Sequence, residues 1–325
     1  METNYTIHKY QPSFKSQWDT FVRSSKNGTF LFERDFMEYH QDRFEDASCL
    51  VINGKKLVAV FPANINEGAV YSHQGLSYGG LVIQADLKFR EYLSIFKALL
   101  QELEKESIGE LFLKEIPSFY CEVPSEESSY LLFLLKANCY RVDLGMVVDY
   151  SKLIPFSRTR KRGITRAKEA GLVIKEETDF ETFWNEILVP NRATIHQVKP
   201  THVLEEIKLL HSRFPERIKQ FNCYYKGDIV AGATLFITQT TVHVQYAAAN
   251  ELRQELGSLD LLFDTLIPIF KDKQYFSFGI SNEAQGTKLN EGLNYWKESF
   301  GARGFVHRFY SIKTANYKLL NSVLI

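Results

Sequence analysis

Residues 277–309 read SFGISNEAQGTKLNEGLNYWKESFGARGFVHRF, and the fold class follows from how this run alternates. The apolar residues over 275–280 predict a buried strand, and the polar, glycine-containing 282–287 predict a turn. Helical periodicity over 288–300 ends at Gly301, a residue suited to a helix C-terminus. The alternation over 305–312 predicts a further strand. Asn282, Lys288, Lys297 and His307 then lie near element ends, where loops on a rigid scaffold carry chemistry.

Outward from this run the same element types recur. In the second half, helices are predicted over 180–196 and 203–214 and strands over 219–225 and 228–238, paired around Lys226-Gly227. A third strand over 241–248 and a helix over 259–272 lead back to the strand at 275–280. The first half begins with a helix over 14–23 and an aromatic-rich helical or irregular piece, FLFERDFMEYHQDRF. Strands over 48–52 and 56–63 flank Asn53-Gly54, a hairpin signal because both turn residues accept positive φ. An extended, glycine-interrupted segment (69–83), a helix (87–106), a strand (110–116), a helix (130–136) and a strand (140–149) follow. Both halves thus run helix, helix, antiparallel strands, helix, strand, helix, strand, which a structural duplication accounts for most simply. The joint is expected in the polar, proline-containing 151–155, giving domains 1–152 and 153–325.

Length points the same way, since 325 residues exceed what one ordinary core sustains and suggest two domains of about 150 residues. Hydrophobic residues form 45% and charged residues 24% of the chain, the balance of a globular protein rather than a disordered one. Lys+Arg and Asp+Glu both total 39, so no net field draws the chain to nucleic acid or an anionic membrane, and any polyanion site is local. Cys49, Cys121, Cys139 and Cys223 are widely spaced with no CxxC pair, and reduced core thiols are expected. The start METNYTIHKYQP has neither the basic residues nor the apolar stretch of a signal peptide, and no run approaches bilayer length. A cytoplasmic protein without a membrane span is the expectation.

Several groups of residues are candidates for chemistry. The segment SRTRKRGITRAKEAGL gathers Arg158, Arg160, Lys161, Arg162, Arg166 and Lys168; Arg158, Arg162 and Arg166 share one helical face suited to phosphates. A solvated helix balanced by Glu169, Glu176 and Glu177 is the plainer reading. The segment SHQGLSYGG sets Ser72, His73, Gln74 and Tyr78 among three glycines, which let backbone approach a ligand or simply mark a tight turn. His307 shares a strand face with Phe309; it is either a proton acceptor beside a cleft or a half-buried sheet histidine. Tyr246, in VQYAAAN, can protonate a leaving group or only pack. No metal-ligand spacing, Walker loop, nucleophile elbow or dinucleotide glycine pattern occurs, and His202 and His211 are off a common helical face, so no metal is expected.

Three segments carry a family likeness: SRTRKRGITRAKEAGL; KPTHVLEEIKLLHSRFPERI followed by KGDIVAGA; and YFSFGISN leading to GLNYWKESFGA. With the element order, they make the chain resemble the Fem family, the aminoacyltransferases that build peptidoglycan interpeptide bridges, over nearly its whole length. The resemblance implies an α/β (α+β) chain of two tandem GNAT-like domains, mixed central sheets flanked by helices, the first degenerate and on the acceptor side, the second on the donor side. It implies that Lys297, after Trp296, helps stabilise the reacting carbonyl, whose oxygen gains negative charge when an amine attacks. GNAT proteins hold the acyl carrier's pyrophosphate on N–H groups at a helix start, read as Q/R-x-x-G-x-G/A. Here Gln254 and Gly257 keep two fixed positions, Ser258 follows, and Leu259 replaces the last. Fem-type enzymes commonly use aminoacyl-tRNA and do not need the full motif, so the implied donor is aminoacyl-tRNA or acyl-CoA, with no tightly bound cofactor. The implied acceptor is an amine on a small molecule or glycan precursor of the cell envelope. Tyr246 or His307 would handle protons, Arg158 and Arg162 would grip phosphate, and His73, Gln74, Tyr78, Asn282 and Lys288 would contact substrate. An acyl-CoA-dependent N-acetyltransferase and a non-catalytic sugar-nucleotide-binding module of the same fold stay open as alternatives.

Overall fold

A computed structural model describes residues 5–192 and 200–325. The chain divides into two units, Met1–Asp143 with Val306–Ile325, and Leu144–Phe305. The C-terminal strand therefore belongs to the first unit, which a single cut between 152 and 153 does not describe.

The first unit begins with β1 (Tyr5–Lys9), α1 (Lys15–Arg23) and α2 (Arg34–Met37). Short strands follow: β2 (Glu45–Asp46), β3 (Cys49–Asn53), β4 (Lys56–Phe61), β5 (Asn64–Asn66), β6 (Ala69–Tyr71) and β7 (Val82–Ile83). Then come α3 (Phe89–Lys105), β8 (Glu110–Lys114), α4 (Glu127–Leu134) and the first part of β9 (Asn138–Asp149). The β3–β4 hairpin turns on Gly54 and Lys55, with Gly54 at φ 60°; Asn53, expected in the turn, is instead the last residue of β3 and pairs with Lys56. α3 buries Tyr92, Ile95, Phe96, Leu99, Leu100 and Leu103, one stripe at helical spacing. β6 and β8 pair in parallel, Val70 opposite Leu111, with α3 as the crossover that a parallel pair needs.

The second unit contains α5 (Arg158–Glu169), β10 (Val173–Glu177), a π-helical turn (Phe183–Leu188), α6 (Val189–Asn191) and α7 (Leu204–Arg213). β11 (Ile218–Tyr225), β12 (Asp228–Ile237), β13 (Thr241–Ala249), α8 (Arg253–Leu256), α9 (Ser258–Ile269) and β14 (Tyr275–Ile280) follow. It closes with β15 (Asn282–Glu283), β16 (Lys288–Leu289), α10 (Glu291–Glu298) and the start of β17 (Arg303–Lys313). Strand order is β10-β11-β12-β13-β14-β9, and the sole parallel pair in it is β13–β14, bridged by α9. Each unit thus repeats a strand, helix, parallel-strand crossover, which is the duplication expressed in hydrogen bonding. α9 and α10 pack on β14 through Phe263, Trp296 and Phe300 around Phe278, with ring centroids 4.9–5.7 Å apart, edge-on except for the stacked Phe278–Phe300 pair.

Some expectations are corrected. The helix expected over 288–300 starts at Glu291, because Lys288 and Leu289 pair with Glu283 and Asn282, and the Asn290 side chain caps the helix by accepting from the Leu293 N–H. The segment 69–83 is strand only at its two ends. Cys139 is exposed, while the other three cysteines are buried. Of the helix expected over 180–196, residues 193–196 lie outside the described residues.

Candidate functional site

One local irregularity is where β13 leaves β14. The two pair only from Thr241–Tyr275 to His243–Ser277; beyond that β13 continues on β12 alone, and β14 shifts register against β9 between Ser277 and Ile280. At this parting Gly279 adopts φ 71°. Its N–H donates to Ser277 Oγ at 3.2 Å, and His243 Nδ1 lies 3.3 Å from the same oxygen. A Cβ on Gly279 would stand 3.3 Å from His243 Cε1, so the position is also spatially tight.

The turn directs two consecutive carbonyls at one amine. Lys297 Nζ donates to Gly279 O at 3.1 Å and to Ile280 O at 2.5 Å. Trp296, wedged between Phe263 and Phe278, anchors α10 and carries Lys297 beneath the end of β14. Lys297 is 4% exposed, and burial lowers its pKa to about 7. His243 is held neutral, at about 4, by burial first and by Lys297 second.

The start of α9 is a second feature. Gly257, φ 70°, ends α8 and caps α9, and a Cβ there would meet Gly163 O of α5 at 2.4 Å. Ser258 is fully buried, and its Oγ has no hydrogen-bond partner among the described residues. Arg160 pairs with Asp260, Arg166 donates to the Gln254 carbonyl at 2.6 Å, and Lys168 pairs with Asp264 at 2.9 Å. These bonds fasten α5 to α8 and α9. Arg158, Lys161 and Arg162 stay exposed and form no ion pair among the described residues.

Tyr246 lies farther along β13, 3% exposed, with Trp184 edge-on at 5.1 Å. Its hydroxyl accepts the His202 backbone N–H at 3.1 Å and lies 2.7 Å from His202 Nδ1. Burial raises the phenol pKa, so the hydroxyl keeps its proton and can give it to that ring nitrogen.

In the first unit, Lys114 Nζ donates to the carbonyls of Leu76 (2.8 Å), Gln74 (2.9 Å) and His73 (3.4 Å). The glycine-rich loop is thus wrapped around a buried amine, whose pKa burial lowers to about 8. His73, φ 68°, is buried against His40 and Phe44, with ring centroids 5.3 and 5.4 Å apart. Asn64 accepts the Gln74 N–H at 2.7 Å and donates to Gln74 Oε1 at 2.8 Å; Gln74 then lines a cavity of about 610 Å³ with Arg43, Phe44 and Asn66. His307 is lowered to about 4 by burial, Asp143 opposing, and Lys114 and Arg141 act on it in the same direction as burial.

No family model matches the chain, and no curated protein sequence does. Solved structures do match. FemX gives a TM-score of 0.67 at 11% identity, covering 97% of this chain and 99% of that one. L-PGS from Bacillus licheniformis gives 0.59 at 11% identity over 96% of each chain. A tandem GNAT protein from the clavulanic acid biosynthesis pathway gives 0.50 at 9% identity, over 96% of this chain and 99% of that one. The fold is the Fem-type tandem GNAT fold.

Within this tandem GNAT fold the residues singled out from sequence fall into separate places. Lys297 stands with His243 and Ser277, neither of which the pattern marked: His243 sits in the strand TVHVQY, where alternation gives it the signal of any sheet histidine. Gln254, Gly257 and Ser258 meet at the α8–α9 junction. Tyr246 is joined to His202, and His73, Gln74 and His307 gather near Lys114, which was also unmarked. Tyr78 is 3% exposed behind its loop and donates to Thr29 at 3.1 Å. Asn282 accepts the Leu144 N–H at 2.6 Å, and Lys288 is exposed on β16. Among the described residues no group of three His, Cys, Asp or Glu is placed to hold a metal ion, and no helix is long and apolar enough to cross a membrane.

Proposed function

We propose that this chain transfers an acyl or aminoacyl group from an activated ester or thioester to an amine on a glycan or cell-envelope precursor. One observation carries the reading: β13 and β14 part, and the buried amine of Lys297 is held at the end of β14 where they do. A strand that has lost its neighbour can offer N–H and C=O groups to an extended carrier arm. Attack of an amine on the carrier's carbonyl builds charge on oxygen, and a lysine beside it can offset that charge. The Fem resemblance and the exposed Arg158, Lys161 and Arg162 favour aminoacyl-tRNA as donor. A second reading, acyl-CoA as donor, is favoured by the buried Ser258 hydroxyl without a partner at the start of α9.

The test is transfer itself, from tRNA charged with labelled amino acids or from labelled acetyl-CoA, to nucleotide-linked and lipid-linked glycan precursors. Label on the acceptor amine, lost in Lys297→Ala, is expected. Calorimetry separates the donors: micromolar binding of acetyl-CoA supports the second reading, and silence together with protection of the aminoacyl ester supports the first. Absence of transfer from either donor overturns the proposal.

A further inference from the structure

Resting on the transfer chemistry just proposed, we infer that Lys297 enters the reaction as an uncharged amine and takes the proton that the attacking amine sheds. The side chain is buried, and no carboxylate pairs with it among the described residues. The titratable group facing it from β13 is His243; the carboxylates of α10 itself, Glu291 and Glu298, are exposed. A lone ammonium in such a place is costly, and lysine relieves the cost by giving up its proton.

The hydrogen bonds fit the neutral form. A neutral amine has two N–H groups and one lone pair, and the Gly279 and Ile280 carbonyls take both N–H groups. The third position on Nζ, a lone pair in the neutral amine and an N–H in the ammonium, has no hydrogen-bond partner among the described residues. The lowering of Lys297 to about 7 agrees with this arrangement and puts its proton affinity near the operating range of a general base. His243 does not compete: burial, the larger cause, lowers its pKa without any charge on Lys297, and its ring lies against Ser277 Oγ. His243 and Ser277 are positioning residues: through the Gly279 N–H they hold the φ of 71° that presents both carbonyls to Nζ.

The step balances. The acceptor nitrogen's lone pair forms the C–N bond, the carbonyl π pair moves to oxygen, and the nitrogen's surplus proton passes to Lys297 Nζ. The ammonium so formed stands beside the oxyanion only while that oxyanion exists, so its charge favours the transition state over the bound substrate. When the carbonyl re-forms, the bond to the carrier oxygen or sulfur breaks with its electron pair, and Nζ returns the proton to that leaving atom. Lys297 ends uncharged.

Two readouts on the full-length chain test this. In lysine-labelled protein, with Lys297→Met to assign the signal, the Lys297 amine is expected to titrate near neutrality in NMR. A signal still protonated at about pH 9, as for an ordinary lysine, overturns the inference whether or not transfer is seen. Ser277→Ala and His243→Asn are expected to shift that titration to lower pH, because the ammonium loses carbonyls that accept from it, with circular dichroism unchanged; an unmoved signal removes their positioning role. With donor and acceptor in hand, Lys297→Arg keeps a permanent cation that cannot take a proton. It is expected to lose about 100-fold or more in kcat and the acid limb of the pH profile, as Lys297→Met does. Arg retaining a rate within about tenfold of wild type overturns the inference. A near-neutral titration without transfer to any amine overturns the reading beneath it, and the inference with it.

Discussion

Lys297 also gives stability a pH dependence of known sign. Its pKa is 10.5 when free and about 7 when folded, so between these values the unfolded chain binds more protons, and stability rises with pH. The slope contributed is at most about 1.4 kcal/mol per pH unit. Lys297→Met is expected to flatten the rise seen in urea unfolding between about pH 7 and 10, leaving the smaller contribution of Lys114 above about 8; equal slopes in variant and wild type would show that the amine is not buried as described. Glycine offers a comparison at the same scale. Gly54→Ala meets only the left-handed backbone penalty, about 1 kcal/mol, because nothing lies within 4 Å of the added Cβ. Gly257→Ala adds a 2.4 Å collision with the Gly163 carbonyl of α5, a packed neighbour, and is expected to lose about 2–4 kcal/mol. Similar losses at the two sites would refute the close α5–α9 contact. Lys297 was singled out in sequence through the Trp-Lys pair. Its partners were not, because backbone carbonyls and a strand histidine carry no mark that separates them from ordinary sheet residues.

Helix α5 divides its basic residues between two tasks. Arg160, Arg166 and Lys168 hold α8 and α9, whereas Arg158 and Arg162 reach solvent. Arg160→Ala leaves the buried Asp260 carboxylate without its partner and is expected to lower stability by about 3 kcal/mol. Arg158→Ala and Arg162→Ala are expected to leave the melting temperature unchanged, to weaken binding of a tRNA donor and to reduce its salt slope by about one each. A salt slope that neither variant changes would remove α5 from the donor site. Helical periodicity and charge placed α5 correctly, and could not sort these residues, since the sorting depends on which face meets α9. The same limit explains the elements that were misjudged. The β15–β16 pair is two residues a side, too short for a period to show. The parting of β13 and β14 is set by pairing between distant segments, which local pattern does not encode.

Among the described residues, burial lowers the pKa of more histidines in the first unit than in the second, and this bears on which should yield first to acid. In the first unit burial holds His40 at about 4, His73 at about 3 and His307 at about 4; in the second it holds His243 at about 4. The ordinary value is 6.5, so above it both folded and unfolded states are neutral and nothing is lost. As pH falls below 6.5 the unfolded chain takes up protons and the folded unit does not, and stability declines until the folded values are reached. Each histidine contributes at most about 1.4 kcal/mol per pH unit, less for the half-buried His307. Even with the buried His202 of the second unit counted beside His243, three such groups stand against two among the described residues, and the first unit should lose protection faster. Hydrogen exchange between about pH 7 and 4.5, corrected for the intrinsic rate, should show segments of 5–143 and 306–325 opening ahead of 144–305. His73→Asn tests the cause, because asparagine tolerates the left-handed φ of 68° and does not titrate. It should narrow the gap between the units in acid while leaving the neutral-pH pattern alone. Equal acid lability in both units, or a gap that His73→Asn does not change, would mean that some other set of groups governs the acid response.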